Sequence, residues 1–312
     1  MSSGQARHLL PDDEHELIFR EQVVPERLSG AEPRSTPIVY VLGGQPGAGK
    51  SRTKAALLGG LFGHGGGVEL DGDLFRGYHP RYDELLAEDD RRAAYYTDFD
   101  AGRWLDKAIS YVTERRVNVV LEGTMRRPAF VAQTCDRYRA AGYRVEAAIL
   151  AVPEALSRLG VLQRYQQQKA ARGHGRFSTS ETHDAGYAGL LDTADAIDRD
   201  GLADAVTVYR RGGTAVYANR LNPTGRWCEP PATRAAIEAE RRRAWTPAES
   251  ETFHGDLGKV ADALGDAWTA ECEQIRALAR DRPPDGAVES HRRHQRTRTS
   301  LRPRQVDLRR GP

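Results

Sequence analysis

Lys50 and Ser51 close the run Gly44-Gln45-Pro46-Gly47-Ala48-Gly49-Lys50-Ser51, which fits the phosphate-loop spacing G-x-x-x-x-G-K-[ST]. Its glycines let the backbone curl so that successive N–H groups point at a polyphosphate, and a helix N-terminus behind it adds unpaired donors. Lys50 reaches the β- and γ-phosphates in such a loop, and the Ser51 hydroxyl holds Mg²⁺. The competing reading is a glycine-rich turn that happens to precede a lysine. Lysine is scarce here, however: Lys50, Lys54, Lys107, Lys169 and Lys259 are the only ones in 312 residues. The chain otherwise uses arginine, so a lysine at the one position that needs a slim point charge is informative.

Three further groups carry chemistry. Asp71 and Asp73 end a short apolar run, where an acid can accept a proton from a substrate hydroxyl or help hold the metal. The alternative is a loop or capping role, with Asp73 as N-cap before Leu74. Glu122, Thr124, Arg126 and Arg127 follow a second apolar run and suit a sugar or phosphate substrate, or else form a solvated turn. Arg164 and Arg176 flank Gly173-His-Gly-Arg176, and arginines on a mobile lid neutralise a transferred phosphoryl group and exclude water.

These residues need a scaffold that brings strand ends together. Ile38–Leu42, Val68–Leu70, Val117–Leu121 and Val145–Val152 read as strands, the longer runs apolar enough to be buried on both faces. Helical patterns alternate with them at Arg52–Leu61, Asp83–Asp90, Ala101–Arg115, Pro128–Ala141, Glu154–Ala171 and Thr182–Ile197. That alternation predicts an α/β fold with a mostly parallel, doubly wound sheet flanked by helices. Strand carboxyl ends then face the ligand crevice, and the strand after the loop's helix is expected close beside the first. Ala205–Tyr209 and Thr214–Tyr217 predict a closing strand or hairpin. Asp12–Leu28 is an amphipathic helix with Leu17, Ile18, Val24 and Leu28 as its apolar positions, whereas 59–67 is too glycine-rich for regular structure. Pro231–Trp245 and Gly258–Arg280 read as helices of an appended layer. The expected units are 1–36 (N-terminal helix and linker), 37–221 (nucleotide-binding domain), 222–281 (helical extension) and 282–312 (basic tail).

Composition narrows the class. An apolar share of 39% allows a real core, and 29% charged residues argue for a soluble protein. No apolar run approaches the roughly 20 residues that span a bilayer, and no signal-peptide core precedes Gly30. Cys135, Cys228 and Cys272 are odd in number and lack metal-ligand spacing, which suits a cytoplasmic protein with idle thiols. The tail from Arg282 carries nine arginines against three acids, while the remainder is mildly acidic. Its Arg, Pro, Ser and Thr content reads as disordered and solvated, and no nucleic-acid-binding signature accompanies it.

Taken together, Gly43–Ser51, Asp71-Gly-Asp-Leu-Phe-Arg76 with His79-Pro80, Leu121-Glu-Gly-Thr124, Ala151-Val-Pro153, Gly160-Val-Leu-Gln-Arg-Tyr165 and His183-Asp184 resemble the zeta toxin family of P-loop kinases. They stand in the family's order from about Ile38 to Tyr217. The resemblance implies an ATP-dependent kinase acting on the 3′-hydroxyl of the sugar in UDP-N-acetylglucosamine. It implies Asp73 as the general base, Lys50, Arg164 and Arg176 as phosphate clamps, and Ser51 as the Mg²⁺ ligand. It further implies Asp106, Glu122, Thr124 and Arg126 around the nucleotide-sugar substrate, and a small helical antitoxin as partner. Asp106 stands where a longer glutamate is familiar, and nothing after Asn222 matches a motif. Another nucleotide sugar, a dinucleotide or an antibiotic hydroxyl is the alternative acceptor. A nucleotide-switched RNA- or protein-binding module is the reading from a different class.

Overall fold

Strands buried on both faces send alternate residues to opposite sides, and this chain does so in register. In a computed structural model that describes residues 8–280, the central strands are β1 (Ile38–Gly43), β3 (Val119–Gly123) and β4 (Arg144–Ala151). Val39, Val41, Val119, Leu121, Val145, Ala147 and Ile149 enter the larger core, while Leu42, Val120, Ala148 and Leu150 pack on the other face. With β2 (Val68–Asp71), β5 (Ala205–Arg210) and β6 (Ala215–Arg220), the sheet runs β2-β3-β1-β4-β5-β6. All pairs are parallel except β5–β6, an antiparallel hairpin.

The order corrects one expectation, because β3 lies between β1 and β2. The carboxyl ends still align, with Leu42 level with Glu122 and Glu122 level with Asp71. The crevice therefore opens where β1, β3 and β4 end, around the point at which the chain reverses direction across the sheet.

Several helices depart from their sequence patterns for visible reasons. The first, α1 (Asp12–Ile18), continues as a π-helix over Phe19–Leu28 with Pro25 inside it. The wider winding buries Val23 and Leu28, five residues apart, along with Phe19, whereas Leu17, still in α1, is 55% exposed. α2 (Lys50–Leu61) runs on through Gly59 and Gly60 and is followed by a 3₁₀ turn at Phe62–His64. α3 (Gly72–Phe75) and α4 (Tyr82–Glu88) lead to α5 (Ala93–Arg115), which begins about two turns before the expected Ala101 because Ala93, Thr97 and Asp100 give it a buried face. α6 (Pro128–Ala140), α7 (Glu154–Arg172) and α8 (Ser180–Asp200) flank the sheet.

Beyond β6, α9 (Thr233–Arg242) seats Ile237 in the larger core. The helix expected over Gly258–Arg280 is two. α10 (Pro247–Leu264) starts early because Thr246 and Glu249 form a capping box with Pro247 at its first turn. Gly265, at φ 74°, then breaks it, and a 3₁₀ turn over Asp266–Trp268 leads into α11 (Thr269–Arg280). α10 and α11 bury Phe253, Leu257, Val260, Trp268 and Ile275 against Leu159, Leu162 and Tyr165 of α7. The basic tail of 282–312 lies outside the described residues. Among those described, no helix is long and apolar enough to cross a membrane, and Cys135, Cys228 and Cys272 are all free thiols.

Candidate active site

β1 delivers the chain to the loop of residues 44–49, where Gly47 and Gly49 adopt φ of 75° and 85°. Only glycine takes such angles without strain. No side chain caps α2 at Gly49, so its first-turn N–H groups stay available for a ligand. The loop is gripped from outside. A Cβ on Gly47 would overlap the Ser157 carbonyl of α7, and one on Gly160 would overlap the Gly47 carbonyl. Arg211, in the β5–β6 turn, donates from Nη1 to Gly47 O at 2.9 Å and to Leu156 O at 3.1 Å. The side chain of Gln45 is buried, donating to Val152 O at 2.9 Å and Ser157 Oγ at 3.1 Å, so only its backbone remains for a phosphate. Ala48 packs under Leu42 and Leu150, Pro46 lies against Gly186 of α8, and Gly44 accepts a bond from Lys50.

Lys50 holds the loop closed, donating from Nζ to Gly44 O at 2.9 Å and Gln45 O at 3.4 Å, with Glu122 at 3.7 Å. Burial pushes its pKa below the ordinary lysine value against the pull of Glu122 and Asp71. One turn on, Lys54 pairs with Glu69 at 2.5 Å, Glu122 at 2.8 Å and Asp71 at 3.8 Å. Burial opposes its charge too, but the bonds to Glu122 and Glu69 win and raise its pKa. Ser51 is exposed at the start of α2, free to meet a ligand.

Asp71, rather than Asp73, caps α3: its Oδ1 accepts the Asp73 N–H at 2.9 Å. Burial, the charge of Asp73 and that of Glu122 push its carboxyl up to about 6. Asp73 is freed from capping and points its carboxylate at two arginines. Arg76 Nε lies 3.3 Å from Oδ1, and Arg176 pairs with Oδ2. Burial disfavours the charge, but Arg176 and Arg76 outweigh it and hold the carboxyl well below the usual range.

Arg176 sits in the segment 173–179, between α7 and α8, which has no regular secondary structure. Its N–H donates to Gln168 Oε1 at 2.8 Å, and Arg164 Nη2 donates to Ser178 Oγ at 2.8 Å. The Nε atoms of Arg164 and Arg176 are buried without a hydrogen-bond partner. Two guanidiniums beside the loop lysine, each with an unsatisfied donor, fit a polyanion.

A cleft of about 340 Å³ adjoins this centre, lined by Gly72, Arg76, Asp98, Asp106, Arg127, Phe130 and Arg137 among others. Asp106 stands in it, held by Arg137 Nη1 at 2.6 Å. Arg127 lies over the half-exposed Phe130 ring at 5.4 Å. Arg76 belongs to both regions, reaching Asp98 at 2.5 Å as well as Asp73. The structure thus brings Lys50, Asp71, Asp73, Glu122, Arg164 and Arg176 together and sets Asp106 across the adjoining cleft. Thr124 is half-buried and Arg126 exposed after β3, and neither lines that cleft.

Lys54, Arg137 and Arg211 escaped the sequence reading, and Arg76 entered it only as the end of a motif, without a role. Lys54 follows Lys50 by one helical turn, and Arg76 follows Asp73 by three residues, just past the end of α3, spacings that bring each pair to a shared face. Arg137 and Arg211 arrive from distant elements and leave no local signal.

A family model described as zeta toxin matches residues 23–222. Toxin PezT of Streptococcus pneumoniae is 30% identical over 199 residues, covering 62% of this chain and 77% of its own. Toxin zeta of Enterococcus hirae is 28% identical over 200 residues, with coverage of 64% and 69%. A solved structure from the PezAT chromosomal toxin–antitoxin system of S. pneumoniae superposes with a TM-score of 0.71 at 23% identity, over 83% of this chain and 100% of that one. The AvrRxo1-ORF1:-ORF2 complex superposes with a TM-score of 0.54 at 16% identity, over 84% and 87%. The two superpositions show a shared fold.

Proposed function

The chain belongs to the zeta toxin family of P-loop kinases, and from that premise we propose that it transfers the γ-phosphoryl group of ATP to the 3′-hydroxyl of the sugar in UDP-N-acetylglucosamine. The observation that carries this reading is the position of Asp73, between the lid arginine Arg176 and the cleft residue Arg76.

A sugar hydroxyl does not ionise near neutral pH, so a carboxylate must take its proton as the new bond develops. Asp73 is the acid placed to do so. Arg176 pairs with its Oδ2 and weakens it as a base. A triphosphate in the loop competes for Arg176, and as the guanidinium turns to the phosphoryl oxygens the basicity of Asp73 rises. Lys50 and Arg164 neutralise the same oxygens, and the loop N–H groups orient them. Mg²⁺, held by Ser51 and the nucleotide's own phosphates, would add charge neutralisation on the β- and γ-oxygens. Glu122, pinned by Lys54 at 2.8 Å, and Asp106 would border the sugar nucleotide, while Thr124 and Arg126, outside that cleft, are assigned to it by the family resemblance alone.

Another hydroxyl acceptor is the second reading, and Asp106 favours it. Its carboxylate is short and already engaged by Arg137. By analogy with the PezAT system, we infer a toxin acting in the cytoplasm and restrained by a small antitoxin protein.

The test is ADP release with ATP and Mg²⁺, with and without UDP-N-acetylglucosamine, and location of the product phosphate by NMR. Asp73→Ala should lower kcat by about 10²–10⁴-fold and leave ATP affinity nearly unchanged. Near-normal turnover in that variant would remove Asp73 from its role. No stimulation by UDP-N-acetylglucosamine would discard this acceptor and turn the search to other hydroxyl-bearing nucleotides.

A further inference from the structure

The match to the family ends at residue 222, yet the helices beyond it reach back to the catalytic lid. Phe177 follows Arg176 directly, and in an extended segment successive side chains point opposite ways. Arg176 and Ser178 engage Asp73 and Arg164, while the Phe177 ring turns to the other side. There it meets Trp268, in the 3₁₀ turn before α11, edge-on at 5.0 Å, and Tyr165 of α7 at 5.7 Å. Trp268 also contacts Tyr165 at 4.9 Å, and the Arg91 guanidinium lies 5.4 Å over Phe177 and 5.0 Å over Trp268. The Tyr165 hydroxyl donates to Asp90 Oδ2 at 2.8 Å.

Three segments therefore converge on Trp268 of the extension: the lid, α7 and the α4–α5 connection that carries Asp90 and Arg91. The lid has no secondary structure of its own to fix its path. Its packing against α7, the bond from the Arg176 N–H to Gln168 Oε1 and the contacts of its side chains decide where Arg176 stands.

We propose that Trp268 is a positioning residue for phosphoryl transfer: by clamping Phe177 against Tyr165 and Arg91, it holds Arg176 over Asp73 and the phosphate loop. Residues beyond the family match thus complete the active site. The turnover arm of this proposal rests on the kinase reading, and a lid arm does not.

Trp268→Ala, Trp268→Phe and Arg91→Ala would be compared with the full-length protein. Arg91 is exposed, so its removal leaves the core intact. Limited trypsin digestion reads the lid through cleavage after Arg172 and Arg176. Trp268→Ala should speed that cleavage about tenfold, Arg91→Ala less, and Trp268→Phe should restore most of the protection. In turnover, Trp268→Ala should lower kcat by about 10–100-fold while KM for ATP stays within about threefold. If UDP-N-acetylglucosamine is not the acceptor, acceptor-free ATP hydrolysis supplies the same comparison. Unchanged lid cleavage in both Trp268→Ala and Arg91→Ala overturns the proposal. So does faster cleavage with unchanged kcat, or a Trp268→Ala defect that Trp268→Phe does not relieve.

Discussion

Two carboxylates two residues apart are driven in opposite directions because one is buried beside two other acids and the other faces guanidiniums. Asp71 is raised to about 6, whereas Asp73 is lowered by Arg176 and Arg76 against the effect of burial. A carboxyl raised in the folded state binds its proton before the unfolded chain does. From this group stability grows as pH falls through about 6, by on the order of 1 kcal/mol per pH unit until the unfolded carboxyl also titrates. Asp71→Asn keeps a good helix cap and removes the titration. Its melting temperature relative to wild type should therefore drop on going from about pH 7 to about pH 5, because only wild type gains there. Scanning calorimetry at the two pH values checks this, and a constant difference would show that Asp71 does not titrate in that window. At this scale the sequence spoke clearly where chemistry is local. The spacing of Lys50, Asp71, Asp73 and Glu122 placed the centre, but the pairing of Asp106 with Arg137 depends on how α5 packs against α6, which no local pattern encodes.

Among the elements, α7 carries the heaviest set of duties. Within two turns Gly160 lets it press on the phosphate loop, Arg164 reaches Ser178 of the lid, and Tyr165 faces the extension. Gly160→Ala should push the Gly47 carbonyl outward and weaken ATP binding by about tenfold or more, although alanine is the better helix former by about 1 kcal/mol. Isothermal titration with a non-hydrolysable ATP analogue measures the loss, and an unchanged affinity would mean the loop yields freely. Helices and strands here were legible from periodicity to within a turn or two, except that α10 starts at Pro247, about three turns before the expected Gly258. The misses have physical causes. The first helix winds wider from Phe19 onward, which α-helical periodicity does not foresee, and Gly265 splits a helix whose composition reads as continuous. The early start of α5 follows from the burial of Thr97 and Asp100, polar residues that no apolar count includes.

At the scale of the whole molecule, the residues beyond β6 are part of the fold rather than an ornament on it. Ile237 sits in the larger core, Arg210 on β5 pairs with Glu240 of α9 at 2.8 Å, and α10–α11 cover the apolar side of α7. Ending the chain before Trp245 would expose Leu159, Leu162 and Tyr165, a loss of about 6 kcal/mol at roughly 2 kcal/mol each. That is comparable to the net stability of an ordinary domain. The shortened chain should be insoluble or melt far below wild type, checked by circular dichroism of the two proteins side by side. A fully stable truncated chain would show that α7 needs no cover. Sheet order was only partly legible, since the position of β3 between β1 and β2 is a matter of crossover geometry rather than of any strand's own residues.

The seam between Phe177 and Trp268 also bears on how such a kinase could be silenced. A small aromatic compound wedged between the two rings would displace the lid without touching the phosphate loop. Raising the ATP concentration would not relieve it, so its inhibition would be non-competitive with nucleotide. Because Trp268 lies outside the family match, a wedge of that kind would discriminate this enzyme from relatives that share only the phosphate loop and its arginines.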